Sequence, residues 1–517
     1  MGAKSRKPSF TVAAMIAATL FAKALGLFRS MLLAWTLGEL PEAVAFAAAS
    51  KIPGAFFDIL FSAAISGAFM PHFAAAKNES EQSARSFSSA FFGASLLAGG
   101  ALALWGVTLA PVLISLTSPK ISAESGALAA RLLRIMFPSA VFTAGAYTLV
   151  GVLQSRGSFI LPAAVSSASN LFIIFYLLAF RASFSVQALA VVYTLSWALQ
   201  LLALALPLAA KKSLPCPRLS LSCKHFRAAL ASAPSAAACS WLAPASVLIA
   251  AFFCSFVSEG AFVIYDYASG IYAIVSGVAV YGVCNYTFPH LASLAAKGDM
   301  PHFSRELKKA LFSALLIVAP VFCGAQALAY DGITLLYARG NFSLETAKVC
   351  ARALRVLCLA MPAFAVSELL FRALLALGRA KTAARASLTS VLVMAAASAA
   401  SLFCGGGVFG ICAAFAAAQW AHALFLLFAS GEIFAKDKSE SFGVKSALIL
   451  PGGALCLAAM SLLAKKISFF SLFSPSFSIF LKITIVFTLG IVIYLLYVYI
   501  IGVLPKNDFS KKRGETT

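Results

Sequence analysis

Two apolar segments at the start of the chain decide its fold. The first, Thr11–Leu37, reads TVAAMIAATLFAKALGLFRSMLLAWTL, and the second, Glu42–Phe73, reads EAVAFAAASKIPGAFFDILFSAAISGAFMPHF. Four charged residues lie inside them: Lys23, Arg29, Lys51 and Asp58. Because a cation at the centre of a bilayer costs about 2.5–3.5 kcal/mol on insertion scales, we expect these side chains to face a watery cavity between helices. The cations could hold an anion there.

The composition places the rest of the chain in a membrane as well. Hydrophobic residues make up 61% of the 517 positions and charged residues only 11%, which is too little polar surface for a soluble protein of this size. The apolar runs are unbroken and about twenty or more residues long, whereas the strands of a membrane β-barrel alternate over about ten residues. We therefore predict an all-α polytopic membrane protein with about 14 transmembrane helices.

The basic residues indicate orientation rather than nucleic-acid binding. The formal net charge of +22 is spread over short connections between apolar spans, as is typical of cytoplasmic loops. A nucleic-acid-binding protein would concentrate its cations on a soluble domain or arm, and the sequence shows none. We predict a multi-pass protein with both termini in the cytoplasm.

Two motifs recur at a spacing of about 220 residues. FMPHFAAAK at Phe69–Lys77 is similar to FPHLASLAAK at Phe288–Lys297, and GVLQSRG at Gly151–Gly157 is similar to ALLALGR at Ala373–Arg379. Six spans separate each pair, so the two halves keep the same orientation, and we predict two parallel six-helix repeats followed by a C-terminal helix pair. The predicted boundaries are an N-lobe at 1–210, a basic cytoplasmic linker at 211–227, a C-lobe at 228–431, and the C-terminal helix pair with its basic tail at 432–517. Within the lobes, we predict single spans over 126–154 and 347–377.

No pattern typical of an enzyme is present. The sequence lacks a P-loop, a Gly-x-Ser-x-Gly elbow and a His-Glu-x-x-His helix, so we predict a transporter with no catalytic residues. Its eleven cysteines form no Cys-x-x-Cys pair. Cys216, Cys223 and His225 share one loop, but their spacing is a weak zinc signal, and we predict neither a metal site nor a bound cofactor.

The charges inside apolar segments are the informative residues. Lys51 and Asp58 are seven apart and share one helix face, so they either line the cavity or merely compensate Lys23 or Arg29 in a structural pairing. In the second half, Asp266, Glu368 and Arg372 are candidates for coupling or gating. Glu368 and Arg372 are four apart, and we expect them to pair. Four further arginines lie near the outer ends of spans, where snorkelling explains them: Arg131, Arg134, Arg352 and Arg355.

At the first hairpin the sequence resembles the MurJ (MviN) family of lipid II flippases, which belongs to the multidrug/oligosaccharidyl-lipid/polysaccharide (MOP) exporter superfamily. The similarity rests on an ordered set of motifs: KALGLFR at Lys23–Arg29, KIPG at Lys51–Gly54, SGAFMP at Ser66–Pro71, GVLQSRGSF at Gly151–Phe159 with Pro162 and Asn170, and LYARGNFS at Leu336–Ser343. The set runs in register over most of Thr11–Ala429.

The resemblance implies a V-shaped bundle of fourteen helices. Such a protein carries undecaprenyl-diphosphate-linked peptidoglycan precursor to the outer leaflet of the bacterial inner membrane, and its cavity cations hold the diphosphate. Lys23 and Arg29 fall on the two cationic positions of the family's first helix, with Lys replacing the usual Arg at the former, which keeps the charge but loses bidentate phosphate geometry.

The sequence also departs from the family pattern. An acidic residue near the start of the second helix is Val44 here, an arginine pair is Phe57-Asp58, a further acid is Ser62, and an arginine of the eighth helix is Gly270. The predicted cavity therefore has fewer cations than the family pattern.

Together these observations predict a lipid II flippase for cell-wall synthesis, in which Lys23, Arg29, Lys51 and Asp58 contact the substrate. The alternatives are a flippase for another lipid-linked glycan, a cation-coupled exporter of the same superfamily, and a non-transporting scaffold for cell-wall enzymes. The expected partners are the lipid-linked precursor, the bilayer and cell-wall synthesis proteins, without nucleic acid. Membrane potential or a monovalent cation would supply the energy.

Overall fold

The computed structural model describes residues 8–220, 223–231, 242–436, 448–467 and 474–502. Throughout these residues the regular structure is helical, with no strand. In hydrocarbon every backbone N–H and C=O must find a partner within the protein, and a helix supplies those partners locally. The sequence-based prediction of an all-α membrane protein is confirmed.

The described residues 8–210 form nine α-helices. They are α1 (Pro8–Leu37), α2 (Pro41–Ala63), α3 (Met70–Glu79), α4 (Glu81–Thr117), α5 (Ala123–Met136), α6 (Ser139–Ser155), α7 (Ile160–Ala164), α8 (Ser166–Ala179) and α9 (Val186–Ala210). A π-helical segment, Ala64–Phe69, joins α2 to α3, so the single predicted span over 42–73 contains a change of helix type. Residues 224–231 are also helical.

Ten more α-helices follow in the described residues from 242 onward. They are α10 (Leu242–Ser255), α11 (Ala261–Ala296), α12 (Met300–Tyr337), α13 (Leu344–Cys358), α14 (Met361–Ala376), α15 (Ala380–Phe403), α16 (Gly407–Ala429), α17 (Gly431–Phe434), α18 (Ile449–Lys466) and α19 (Pro475–Ile500).

Ten helices of the described residues are long and apolar enough to cross a bilayer, and the number rises to 12 if each of two bent helix pairs counts as one span. These criteria use length and composition alone. The predicted total of about 14 spans is not confirmed by them.

The two bent pairs occupy equivalent places in the two halves of the chain. Helices α5 and α6 meet at 44°, and helices α13 and α14 meet at 43°, so the segments predicted as single spans over 126–154 and 347–377 each contain a bend between two helices. Pro138 and Pro362 lie at the two breaks, and each removes a backbone donor and disfavours helical geometry in the preceding residue. Matching bends about 220 residues apart support the predicted internal repeat.

The chain separates into two compact units. The first comprises Met1–Tyr267, Tyr337–Thr346 and Met394–Ala414, and the second comprises Ala268–Leu336, Ala347–Val393 and Phe415–Thr517. In the first unit, one core joins α2, α4, α5, α6 and α9, where the Phe57 and Phe137 rings meet edge to face at 5.7 Å. A second core of that unit is built on phenylalanines of the π-helical segment, α3 and α4, among which the Phe69 and Phe73 rings stack at 5.4 Å.

In the second unit, the C-terminal helices α18 and α19 pack on α12. The core between them contains Cys323, Met460 and Tyr494, and a side chain on Gly324 would come within 2.6 Å of the Phe487 ring, so the small residue permits close helix approach. Across this contact Lys482 Nζ donates to Asp331 Oδ1 at 3.0 Å. No sequence pattern predicts this pair, because the two residues lie 151 positions apart.

We expect this ion pair to hold the C-terminal helices in place. The two side chains are only 20% and 16% exposed, and removing one partner of such a pair leaves an uncompensated charge. Asp331→Ala and Lys482→Leu should each lower the unfolding temperature, with a loss of at least about 1 kcal/mol, whereas the double variant should recover most of it. Thermal unfolding of the purified protein measures this.

The exposed pair Lys309–Glu306, with an N–O distance of 2.8 Å, provides the control. Its double removal should change the unfolding temperature little, because exposed ion pairs contribute about 0–1 kcal/mol. A double variant of Asp331 and Lys482 that is as unstable as the sum of its single variants would contradict the pairing.

Candidate functional site: a cationic group on the first two helices

Helix α1 carries the first two predicted site residues, Lys23 and Arg29. Both side chains are half-buried, and six residues separate them, so they lie about 9 Å apart along the helix axis. Helix α1 packs against α7 and α8, where the Asn170 amide donates to the Ala22 carbonyl at 3.3 Å. This hydrogen bond fixes the helix next to Lys23.

Arg29 has unused hydrogen-bonding capacity. Its Nε atom is buried and has no hydrogen-bond partner among the described residues. Tyr193 and Asp266 lie within electrostatic range of its guanidinium. A half-buried guanidinium with an unpaired N–H in an apolar segment is suited to bind an anion, since an unsatisfied buried donor is costly.

Lys51 of α2 pairs with Asp266 of α11. The Lys51 Nζ to Asp266 Oδ1 distance is 2.5 Å, and the two side chains are 35% and 30% exposed. From the sequence, Lys51 is expected to find its partner within the first hairpin, and Asp266 is a candidate for ion coupling. The long-range pair between them was not predicted. The spacing of the two residues in the chain carries no signal that could have revealed it.

Asp266 therefore connects the cations of the two helices. It contacts Lys51 directly and lies within electrostatic range of Arg29. The side chain of the fourth predicted residue, Asp58, lies outside the described residues. Among the described side chains of this group, three cations accompany one carboxylate, which leaves the group net positive.

A loop contact covers one end of α1. Asn341 lies in the LYARGNFS motif; its backbone N–H donates to the Trp35 carbonyl at 3.1 Å and its amide donates to the Thr36 carbonyl at 2.6 Å. Gly38 and Gly340 have positive φ angles of 53° and 59°. A Cβ on Gly340 would collide with the Trp35 ring and carbonyl, and a Cβ on Gly38 would collide with the Asn341 carbonyl.

An aromatic group extends this contact. The Tyr267 ring lies 5.1 Å from the Tyr337 ring and 5.4 Å from the Phe342 ring, so the residue next to Asp266 packs on the loop that contacts α1. The LYARGNFS motif thus meets the helix that carries Lys23 and Arg29.

In the second unit, Arg372 is held by three neighbours. Its Nε donates to Glu368 Oε1 at 3.0 Å, its Nη1 donates to Asn285 Oδ1 at 3.0 Å, and its guanidinium lies 5.6 Å from the Tyr281 ring centre. The predicted pairing of Glu368 with Arg372 is confirmed. The coupling or gating role of these residues stays a prediction.

The basic linker is attached to the first unit near the end of α3. His225 Nε2 lies 2.8 Å from Glu79 Oε2, and the hydrogen bond from His225, assisted by the charge of Lys224, holds the pKa of Glu79 below its ordinary value. The Arg218 N–H donates to the Ser89 carbonyl at 3.2 Å. His225, which the sequence placed near two cysteines, therefore contacts a carboxylate of the N-terminal half.

The glycine contact at the end of α1 can be tested by substitution. Gly340→Ala adds a side chain that meets Trp35, whereas Gly298→Ala adds one at a similar φ of 71° with nothing within 4 Å. In both variants the left-handed backbone costs about 1–2 kcal/mol. Because only the Gly340→Ala side chain also collides with Trp35, Gly340→Ala should lower the unfolding temperature clearly more than Gly298→Ala. Equal losses in thermal unfolding would show that the loop does not rest on α1.

Comparisons with known proteins agree with this description. The family described as "Lipid II flippase MurJ" matches residues 33–498, a range that begins after Lys23 and Arg29. Two curated relatives are described as "Probable lipid II flippase MurJ". The protein from Bdellovibrio bacteriovorus is 25% identical over 69% of this chain and 69% of its own length, and that from Rhizobium meliloti is 27% identical over 80% and 78%.

Solved structures share the fold. A structure described as lipid II flippase MurJ in an inward closed conformation aligns with a TM-score of 0.78, with 21% identity, over 94% of this chain and 98% of its own. An inward-facing multidrug resistance MATE family transporter of the MOP superfamily aligns with a TM-score of 0.65, with 16% identity, over 83% and 99%. At such identities, the likeness concerns the fold alone. The family match extends over most of the chain, and with the apolar helices it makes this a multi-pass protein of the bacterial inner membrane that belongs to the MurJ lipid II flippase family.

Proposed function

We propose that this protein moves lipid II, the undecaprenyl-diphosphate-linked peptidoglycan precursor, from the inner to the outer leaflet of the membrane by alternating access. Membership of the family over residues 33–498 supports the cargo. The observation that carries the proposal at the level of residues is the excess of cations over carboxylates on helices α1 and α2 of such a chain.

Lys23, Arg29 and Lys51 would hold the diphosphate. Arg29 has a buried Nε without a partner among the described residues, and a phosphate oxygen is a strong acceptor for such a donor. Lys51 is engaged by Asp266 at 2.5 Å, so the diphosphate has to share the Lys51 ammonium group with that carboxylate or displace it. Asp266 would then tune affinity, because it competes with the cargo for the same ammonium group.

The charge of this group argues against export of cationic drugs, although the MATE transporter shares the fold. A cationic ligand would meet three cations and one described carboxylate, and like charges repel in a medium of low dielectric constant. A scaffold without transport activity would tolerate neutralisation of all three cations. These two alternatives therefore make different predictions about the same variants.

We expect the cations to be required for transport. Arg29→Gln, Lys23→Gln and Lys51→Gln should each lower the rate of lipid II movement in proteoliposomes by about tenfold or more, since each removes a charge-assisted contact worth about 1.5–3 kcal/mol. Asp266→Asn should instead tighten lipid II binding, because it frees Lys51. Complementation of a bacterium depleted of its own lipid II flippase provides the cellular measurement.

Lys309→Gln serves as the control, since it removes an exposed lysine that pairs only locally with Glu306. Wild-type rates in all three cation variants, at equal amounts in the membrane, would contradict the diphosphate role. Failure of the wild-type protein to move lipid II or to complement, despite good membrane expression, would contradict the cargo.

The membrane potential would favour outward movement. If both termini are cytoplasmic, as the basic connections suggest, two negative charges crossing the full field from a negative interior gain about 4.6 kcal/mol per 100 mV. Collapse of the potential should therefore slow outward transport in proteoliposomes, and an unchanged rate would contradict this energy source. A monovalent cation bound at Asp266 or Glu368 is the alternative, and it predicts a dependence on that ion instead.

A further inference from the structure

A cavity outside the cationic group lies in the first unit. Its volume is about 460 Å³, and it is bounded by the end of α4, the loop 118–122 and the face of α5 that carries Ala127 and Arg131. Arg131 and Arg134 of α5 line it, together with Ser115 and Ser118 on the opposite side. Snorkelling accounts for arginines near the end of a span, but it does not account for a cavity between them and a neighbouring helix.

The two arginines are available to a ligand. Both side chains are exposed on the face of α5 that also presents Ala127, and neither has an ion-pair or hydrogen-bond partner among the described residues. Two arginines thus line the cavity, and the loop 118–122 carries a further exposed cation, Lys120, outside the lining.

Two acidic residues lie near the cavity, and neither neutralises the arginines. Glu259 accepts a hydrogen bond from the Ser122 hydroxyl, and its hydrogen bonds with Ser122 and Ser125 hold the pKa of its carboxyl below the ordinary value. Glu124 lies in the first turn of α5, about 10 Å along the helix axis from Arg131. The lining itself contains no carboxylate.

The equivalent arginines of the second half behave differently. Arg352 and Arg355 on α13 repeat the spacing of Arg131 and Arg134, but Arg355 Nε donates to the Gln326 carbonyl at 3.0 Å, and the Gln326 amide donates to the Arg355 carbonyl at 2.8 Å. In the second half, one of the two arginines is therefore hydrogen-bonded to another residue of the protein. In the first half, both arginines remain available to a ligand.

The α4 side of the cavity is partly apolar, since Pro111 and Ile114 line it beside Ser115. Val112 and Leu116 lie outside the lining on the same helix and are 50% and 64% exposed. A free phosphate ion gains nothing from contact with an apolar surface, whereas a lipid can bury the first part of its acyl chains against one.

We propose that this cavity binds the phosphodiester headgroup of an anionic phospholipid, with Arg131 and Arg134 on the phosphate and the exposed side of α4 against the acyl chains. Charge complementarity selects an anionic lipid, and the apolar wall selects a lipid over a soluble anion. The site would operate whether or not the chain transports lipid II, so the binding experiment below is independent of the proposed function.

The test is lipid binding to the full-length protein, measured by native mass spectrometry from detergent with phosphatidylglycerol and phosphatidylcholine at equal concentrations. The wild type should retain one tightly bound phosphatidylglycerol in preference to phosphatidylcholine. Arg131→Gln with Arg134→Gln should weaken that binding by at least about tenfold, and the two Lys substitutions at these positions should weaken it less. Arg352→Gln removes one positive charge at the place equivalent to Arg131 in the second half and should leave the tightly bound lipid in place, whereas Arg131→Gln alone should already weaken lipid binding.

Four results would overturn the proposal. The first is equal retention of phosphatidylglycerol by the wild type and the double Gln variant, provided that thermal unfolding without lipid shows both to be folded. The second is an equal loss in Arg352→Gln, which would mean general attraction to a basic surface. The third is displacement of phosphatidylglycerol by inorganic phosphate at matched concentration, which would assign the site to a free anion. Displacement by lipid II alone, with no phosphatidylglycerol bound in its absence, would assign it to the cargo and would also overturn the proposal.

Discussion

The absence of water in a bilayer is the constraint on which this structure depends. Every charge inside an apolar helix needs a partner or a polar cavity, and the described residues show three solutions. Glu368 and Arg372 pair within one helix turn, Lys482 and Asp331 pair between helices that are distant in sequence, and Lys51 and Asp266 pair across a similar distance. The first two groups are balanced in charge. In the third, Arg29 also lies within electrostatic range of Asp266, so this carboxylate faces two cations, Lys51 and Arg29.

The sequence was sufficient wherever the signal was local. Long runs of apolar residues predict membrane helices, two repeated motifs predict the internal repeat, and a spacing of four predicts the Glu368–Arg372 pair. The helix breaks at Pro138 and Pro362 were missed because unbroken hydrophobicity dominated the span prediction, although the proline effect on helix geometry was available in the sequence. The partners of Lys51 and Lys482 could not be predicted, since tertiary packing alone brings them to Asp266 and Asp331. The roles of Lys23 and Arg29 rest on the resemblance and remain a proposal.

The two halves keep a common skeleton but use it differently. Both contain a bent helix pair with nearly equal angles and two arginines at the same spacing before the bend. In the second half Arg355 is bound by Gln326, whereas the first half has Arg131 and Arg134 around a cavity. The repeat thus fixes where helices bend and leaves the polar residues free to differ. The first half contains arginines and lysines without a balancing number of carboxylates. The second half contains ion pairs within the protein, and its helix α12 packs against the C-terminal helices.

The contact between the first hairpin and the Gly340–Asn341 loop is made largely by main-chain atoms. Two glycines with positive φ angles bring the backbones together, and the Trp35 and Thr36 carbonyls accept the hydrogen bonds. None of these groups titrates in the physiological range or carries a net charge. The contact therefore keeps its strength when pH or salt concentration changes, whereas the ion pairs deeper in the bundle respond to the charge of whatever binds beside them. Changes in pH or ionic strength should therefore leave the first hairpin attached to this loop while they alter the charged contacts.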